Sequence, residues 1–146
     1  MREIKFRGFN RKNNVWLHGF YLQNRSAHFV CPDEFATGKT WDDYEIDPET
    51  LGQLLDRKDK KGNKMYDGDI LYVEFADGSH SYSLIGWNEQ QMCWGCMSNY
   101  DYQSIADGYD FAEFKGYVLN AYLREALICE VVGNVYDNPE LLQTTD

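Results

Sequence analysis

Residues 70–75 alternate between two faces, and this alternation constrains the fold more than any other feature of the sequence. Leu71, Val73 and Phe75 share one face of the predicted strand, because successive side chains of a strand point to opposite sides. Asp77-Gly78 follows and is a strong signal for a hairpin turn. The partner strands, and the turn between them, follow in order: His80–Trp87, Asn88–Gln91 and Met92–Met97. The sequence therefore predicts a three-stranded meander, as in a small SH3-like barrel or a compact antiparallel sheet.

Further strands are predicted at both ends of the chain. Ile4, Phe6 and Gly8 alternate with charged residues, and turns rich in Asn separate this segment from the next ones. Near the C-terminus, the run Ile128–Tyr136 is rich in β-branched residues. The predicted N-terminal strands cover residues 2–9, 15–22 and 27–31.

Few helices are predicted, and they are short. Asp47 can cap a helix that begins at Pro48, and Gly52 limits it to about one turn. Residues 111–127 have apolar side chains every three or four positions, which predicts one amphipathic helix, with a pair of strands as the alternative. Asn138-Pro139-Glu140 begins a last short turn. The predicted fold class is mainly β (α+β), with antiparallel strands.

The chain is long enough to build a hydrophobic core. Of its 146 residues, 43% are apolar and 16% aromatic, which is typical of a folded globular protein. No internal repeat or linker interrupts the sequence. We therefore expect a single compact domain over residues 1–146, with two small lobes, about 1–46 and about 47–146, as the alternative.

Charge is distributed unevenly along the chain. Residues 1–30 hold six Lys or Arg residues against one acid, Glu3, so their formal charge is +5. Because the whole chain carries −10, residues 31–146 carry −15. Such an acidic surface repels phosphate backbones, which argues against general nucleic-acid binding through it.

Two nucleic-acid alternatives stay open. In one, the basic N-terminal strands contact nucleic acid while the acidic remainder faces away. In the other, the acidic region mimics nucleic acid and occupies a basic protein partner. The residues predicted to make the contact in the first alternative are Arg2, Lys5, Arg7, Arg11 and Lys12.

Cys93-Trp94-Gly95-Cys96 has the spacing of a zinc or redox pair, but its context does not fit either role. Redox pairs sit at a helix N-terminus, which lowers the thiol pKa, whereas this pair falls in a predicted strand. Zinc needs two more ligands, and the remaining cysteines and the three histidines offer no second paired spacing. We therefore interpret the two cysteines as small hydrophobic residues that are buried in the protein core.

Other residue patterns that could indicate a metal site or a catalytic site are also weak. Asp59, Asp67 and Asp69 can approach a shared cation, but Asp-Gly-Asp lacks the longer calcium-loop pattern that ends in Glu. No Gly-x-Ser-x-Gly nucleophile turn is present. We predict no enzymatic activity, no catalytic residues, no metal and no cofactor.

Nothing in the sequence indicates a membrane protein. No apolar run approaches the roughly 20 residues of a spanning helix. The segment from Met1 to Arg7 lacks the apolar region of a signal peptide. We expect a cytosolic location, with reduced cysteines.

Three segments together match a known pattern: Met1–Gly8, Asp47–Gln53 running on through Asp59–Ile70, and Val132–Leu141. Their order and spacing resemble the YopX family of small proteins encoded by phages and prophages. The family usually has Gly where this chain has Asp56, so the local turn departs from the pattern. The resemblance implies a mainly β protein of the bacterial cytoplasm, without an established activity or catalytic residues.

The shared residues are also well explained as structure. Glycines supply turn geometry, aspartates supply turn or cap hydrogen bonds, and prolines begin helices. The residues assigned to this structural role are Asp47, Pro48, Gly62, Gly68, Asp69, Gly133, Asn134 and Pro139.

The functional expectation is a non-enzymatic phage or prophage accessory protein. It acts through contacts with a host or phage protein and self-associates to a homo-oligomer. This rests on the resemblance and on a surface expected to be acidic and rich in Tyr, a residue favoured at interfaces.

Overall fold

The computed structural model describes residues 2–99 and 117–143. Antiparallel strands dominate, in agreement with the predicted mainly β class. The α-helix α1 covers Leu119–Arg124, and short 3₁₀ helices cover Trp41–Asp43, Pro48–Thr50 and Pro139–Gln143. The strands are β1 (Phe6–Asn10), β2 (Val15–Asn24), β3 (Ala27–Cys31), β4 (Gly52–Lys58), β5 (Lys64–Tyr66), β6 (Asp69–Phe75), β7 (His80–Asn88), β8 (Cys93–Ser98), β9 (Tyr117–Val118) and β10 (Ala126–Asn134).

The chain divides into two compact units, Met1–Asp56 and Arg57–Asp146. This boundary falls later than the one between residues 46 and 47 in the two-lobe alternative. Whether the chain acts as one domain or two lobes stays a prediction.

In the first unit, the strands lie in the order β3-β2-β1-β4. β1 and β2 pair with Phe9 opposite Trp16, and β2 and β3 pair with Leu22 opposite Phe29. One face of this sheet is closed by Ile46, against which a side chain at Gly8 would clash. The chain from residue 44 to residue 46 also runs along β3, where the Val30 amide donates to the Tyr44 carbonyl at 3.0 Å.

In the second unit, the strands lie in the order β10-β6-β7-β8-β9. The meander β6-β7-β8 has the predicted hairpin at Asp77-Gly78, so the meander is confirmed, while the SH3-like barrel stays a prediction. Ile70, Leu84 and Leu142 form a core cluster on one face. On α1, Leu119 and Leu123 are buried. The neighbouring Tyr122 hydroxyl bonds to Ser81 Oγ at 2.8 Å.

A charged loop covers the outer edge of β10. The Lys60 amide donates to the Cys129 carbonyl at 3.1 Å, and Lys60 Nζ donates to the Ala126 carbonyl. Asp59 Oδ2 accepts from the Val131 amide at 2.9 Å. The loop therefore pairs backbone groups that an exposed edge strand would offer to other chains.

Two strands were missed by the sequence analysis. β4 and β5 lie between the predicted helical turn at Pro48 and the predicted strand at residues 70–75, where no strand was predicted. β4 does not alternate, because Leu54 and Leu55 are both buried, and its other residues are mostly polar. Its backbone is held by pairing with β1, including a bond from the Leu54 amide to the Lys5 carbonyl at 2.8 Å.

The single helix predicted over residues 111–127 is wrong within the described residues, and the strand alternative is only partly right. Residues 111–116 lie outside the described residues. β9 pairs with β8, the six-residue α1 follows, and β10 begins at Ala126 and pairs with β6. Strand pairing at both ends therefore overrides the helical periodicity.

Candidate functional site

The five basic residues predicted to contact nucleic acid do not form one open basic surface. Arg2 is exposed. Lys5 lies 3.3 Å from Asp33 and 3.4 Å from Glu3, and its hydrogen bond to Asp33 raises the pKa of the lysine, with Glu3 adding to the effect. Arg7 is buried and its guanidinium lies 5.0 Å from the centre of the Trp16 ring.

The other two cations, at the end of the β1–β2 hairpin, are held by aspartates. Arg11 donates to Asp47 from two nitrogens. Lys12 Nζ lies 3.0 Å from both Asp42 and Asp43, and these bonds, that to Asp43 first, raise the pKa of Lys12. Nucleic-acid contact and acidic mimicry both stay predictions, but the first would require these ion pairs to be displaced.

The partners of these cations come from an acidic segment, residues 32–49, which holds seven carboxylates and one lysine. Hydrogen bonds at the starts of its two 3₁₀ helices fix its local structure. The Thr40 amide donates to Asp43 Oδ2 at 2.9 Å, and this bond is the main reason the pKa of Asp43 lies well below its usual value. As predicted, Asp47 caps the 3₁₀ helix that begins at Pro48, accepting from the Glu49 amide at 3.3 Å.

An exposed apolar surface lies on the sheet face that includes Leu22 and Phe29. Phe20 and Leu22 of β2 are 53% and 45% exposed, and Phe35 and Trp41 of the acidic segment are 59% and 56% exposed. The Phe29 ring joins the two pairs, because it lies opposite Leu22 and 5.4 Å from Trp41. We call Phe20, Leu22, Phe29, Phe35 and Trp41 the aromatic face.

An open cavity of about 520 Å³ lies in the same unit. It adjoins the aromatic face, because Trp41 precedes Asp42 in the chain and Phe29 lies opposite Glu45 in a β-bridge. Asn10 is buried and fixes one wall by donating to the carbonyls of Asp42 and Glu45, at 3.1 and 2.7 Å. The lining residues are Asn10, Arg11, Lys12, Asp42, Glu45, Ile46, Asp47 and Pro48.

The aromatic face and Glu45 were missed as site residues by the sequence analysis. A signal was present: Phe20 and Leu22 occupy alternate positions of one strand, and Phe35 and Trp41 are large aromatic residues in an irregular acidic segment. Apolar residues in such a loop either build a core or mark a contact surface.

The family-motif residues of the second unit have structural positions. Gly62 and Gly68 have φ of +86° and +89°. The Gly68 amide donates to the Ile85 carbonyl at 3.0 Å, and Asp69 accepts from the Tyr66 amide at 2.8 Å. These contacts fix the turns around β5 and the start of β6.

The C-terminal motif is likewise built around a turn. Asn134 Oδ1 accepts from the amides of Tyr136 and Asp137, at 3.0 and 2.9 Å. Gly133 lies at a register shift in β10, where a larger side chain would clash with Asn138. Pro139 begins the last 3₁₀ helix, as predicted.

The cysteines are free thiols, and most are buried. Burial raises the pKa of Cys31, Cys96 and Cys129, which makes their thiolates scarce at neutral pH.

Among residues 2–99 and 117–143, no group of three or more His, Cys, Asp or Glu side chains is arranged to hold a metal ion. The Asp59 carboxylate accepts a hydrogen bond in the loop at β10, and the Asp69 carboxylate accepts one in the turn after Tyr66.

Within residues 2–99 and 117–143, no helix has the length and apolar character required to cross a membrane.

The fold and the site define a small, mainly β protein with an acidic segment beside an exposed aromatic face. A family model described as YopX protein matches residues 5–143, and the chain belongs to the YopX family. The resemblance predicted from the three sequence segments is therefore confirmed.

A solved structure supports the fold. The crystal structure of protein EF1440 from Enterococcus faecalis is similar to this chain with a TM-score of 0.52 and 19% sequence identity. The similarity covers 97% of this chain and 99% of that one. No curated protein matches the chain.

Proposed function

We propose that the protein is a non-enzymatic accessory protein of a phage or prophage that acts in the bacterial cytoplasm by binding another protein. The aromatic face carries this proposal. Four of its five large apolar side chains are more than 40% exposed and lie together in one unit. Large apolar patches on soluble proteins mark interaction surfaces, and aromatic residues are enriched in them.

The proposal of a binding protein rather than an enzyme is supported by how the reactive groups are used. The buried thiols have raised pKa values, and the aspartates of the acidic segment are tied into ion pairs and caps. The His28 Nδ1 is bonded to the Tyr21 hydroxyl at 2.6 Å. These groups hold structure together, which favours recognition over chemistry.

Self-association is the second part of the proposal, and the second unit offers a surface for it. Leu127, Ile128 and Val132 of β10 are 59%, 41% and 38% exposed. Because the loop from Asp59 occupies the edge of β10, copies would meet through side chains of this strand rather than by adding strands to its edge.

The test combines oligomeric mass with partner capture. Light scattering over a range of concentrations should give a mass above the 17.1 kDa of one chain. Immobilised protein should retain a bacterial protein that the double variant Phe35→Ser/Trp41→Ser loses. Met92→Ser, which removes a 78% exposed side chain from a turn of the second unit, is the matched control and should retain it.

A monomer at every concentration that also retains no protein would contradict the proposal. Equal capture by the wild type and by the double variant would remove its support from the aromatic face. Circular dichroism of each variant checks that the fold is kept.

A further inference from the structure

We propose that the aromatic face and the cavity beside Glu45 together bind a basic segment of the partner protein. Apolar side chains of that segment pack on the aromatic face, and an arginine or lysine enters the cavity. This inference rests on the proposed function and specifies the chemistry of the partner.

Charge complementarity selects a cationic occupant. The acidic segment has a formal charge of −6, and three cations of the first unit, Lys5, Arg11 and Lys12, pair with it. A net charge of −3 therefore remains on the acidic segment, and the cavity lining itself carries −1, from Asp42, Glu45 and Asp47 against Arg11 and Lys12. A second copy that presented this same surface would bring like negative charge to it, which disfavours pairing of two copies through the site.

Glu45 is the carboxylate most ready to receive a new cation. It is exposed, it lines the cavity, and it takes part in none of the ion pairs found in the described part of the chain. The Phe29–Glu45 bridge holds its backbone, and Asn10 binds its carbonyl. The side chain is therefore attached to a fixed frame, which lowers the entropic cost of forming a new ion pair.

The cavity also suits the stem of a long basic side chain. Ile46 and Pro48 line it with apolar surface, on which the methylene groups of lysine or arginine pack while the charged end meets carboxylates. Trp41, next to Asp42, presents an exposed indole, the ring that binds cations best. A volume of about 520 Å³ falls within the roughly 300–1,000 Å³ of ligand clefts.

An anionic occupant is disfavoured by the same contacts. Arg11 and Lys12 are the cations of the lining, and each is already bound to an aspartate. An anion would have to displace Asp47, or Asp42 and Asp43, and would meet the exposed Glu45. A cation needs no displacement, because it adds to carboxylates that retain accepting oxygens.

The test uses defined peptides rather than an unidentified partner. A fluorescently labelled peptide of alternating arginine and leucine is titrated with the full chain, and binding is followed by anisotropy. Two comparison peptides replace every arginine by glutamate or every leucine by serine. The arginine–leucine peptide should bind most tightly, because only it offers both the charge and the apolar side chains.

Two variants and their matched controls locate the binding. Trp41→Ser and Glu45→Lys should each weaken binding about tenfold or more, as expected for central contacts of an interface. Glu89→Lys repeats the charge reversal and Met92→Ser removes another large exposed apolar side chain, both at turn positions of the second unit, and each should change binding little. Phe35→Ser is a second test of the aromatic face.

Several outcomes would overturn the inference. The first is that the arginine–leucine peptide does not bind. The second is that the arginine–serine peptide binds as tightly as the arginine–leucine peptide. The third is that Glu45→Lys and Glu89→Lys weaken peptide binding equally. A dimer that Trp41→Ser dissociates, without peptide binding, would assign the aromatic face to a second copy instead. If the protein captures a partner or self-associates but fails the peptide test, the proposed function stands and this inference falls.

Discussion

Gly19 lies where β2 passes the backbone of β3 so closely that no side chain fits. A Cβ at this position would lie 2.7 Å from the carbonyl carbon of Cys31, and closer still to its oxygen. Backbone atoms in a paired strand cannot move aside as a flexible side chain can. The close approach lies next to Phe20 of the aromatic face, which pairs with Cys31 in the register of β2 and β3.

Gly19→Ala should lower the free energy of unfolding by about 3 kcal/mol, because the added methyl group forces the two strands apart. Gly38→Ala is the matched control, since Gly38 has a φ of +83° but open space around its Cβ. It should cost about 1–2 kcal/mol through backbone strain alone. Urea unfolding measures the free energy of unfolding of both variants. Equal decreases in the two variants would show that the close approach of β2 to β3 at Gly19 does not contribute to the cost of the substitution.

Single-residue roles were predictable where they are local. The cap at Asp47, the helix starts at Pro48 and Pro139 and the turn at Gly62 follow from neighbouring residues, and the structure shows them. The contact of Trp41 with Phe29 was not predictable in this way, because it joins the acidic segment to a separate strand, β3. The ion pairs of Arg11 and Lys12 likewise join residues about 30 positions apart.

At the scale of elements, β10 depends on the loop that covers its edge. Asp59 is the centre of that loop: its carboxylate accepts from the amides of Lys61, Asn63 and Val131, and from the Asn63 side chain. Burial alone would raise the pKa of Asp59, but these hydrogen bonds outweigh it and hold the pKa below its usual value. The covered edge explains how an exposed strand with Leu127 and Ile128 avoids adding further strands.

Asp59→Asn should lower the free energy of unfolding by about 2–3 kcal/mol, because it removes the charge and points an N–H₂ group at backbone donors. Hydrogen exchange at the Val131 amide should accelerate, since its acceptor is lost. Asp56→Asn, at an exposed position of β4, is the control and should leave both unchanged. Slow exchange at Val131 in Asp59→Asn would contradict the role given to the loop.

Elements were predictable from sequence when their own residues alternate. β1 and β6 have this pattern, whereas β2 and β3 are apolar runs bounded by turn residues, and each of these strands was predicted. β4 has buried leucines at adjacent positions, and β5 is three residues long, so neither gives a signal that differs from a charged loop. Both were therefore missed, although they lie within the stretch that most clearly indicated the family.

At the scale of the whole molecule, hydrogen bonds and ion pairs make stability depend on pH at both ends of the range. Asp42, Asp43, Asp59 and Asp77 have lowered pKa values. Lys5, Lys12 and Lys61 have raised ones. The carboxylates stabilise the fold above their unfolded pKa, and this contribution is lost as pH falls through the folded values. The lysines stabilise it below their unfolded pKa of 10.5, and this contribution is lost as pH rises through the folded values.

We therefore expect the free energy of unfolding to be nearly constant around neutral pH and to fall below about pH 4, near the unfolded pKa of aspartate. Urea unfolding across this range measures the profile, with and without added salt. Part of this loss of stability in acid comes from the exposed pairs of Lys12 with Asp42 and Asp43, and salt should weaken it because exposed charges are screened. The loss of stability that comes from protonation of the buried Asp59 should persist in salt and disappear in Asp59→Asn. A profile that Asp59→Asn leaves unchanged would show that the acid sensitivity comes from the exposed aspartates alone.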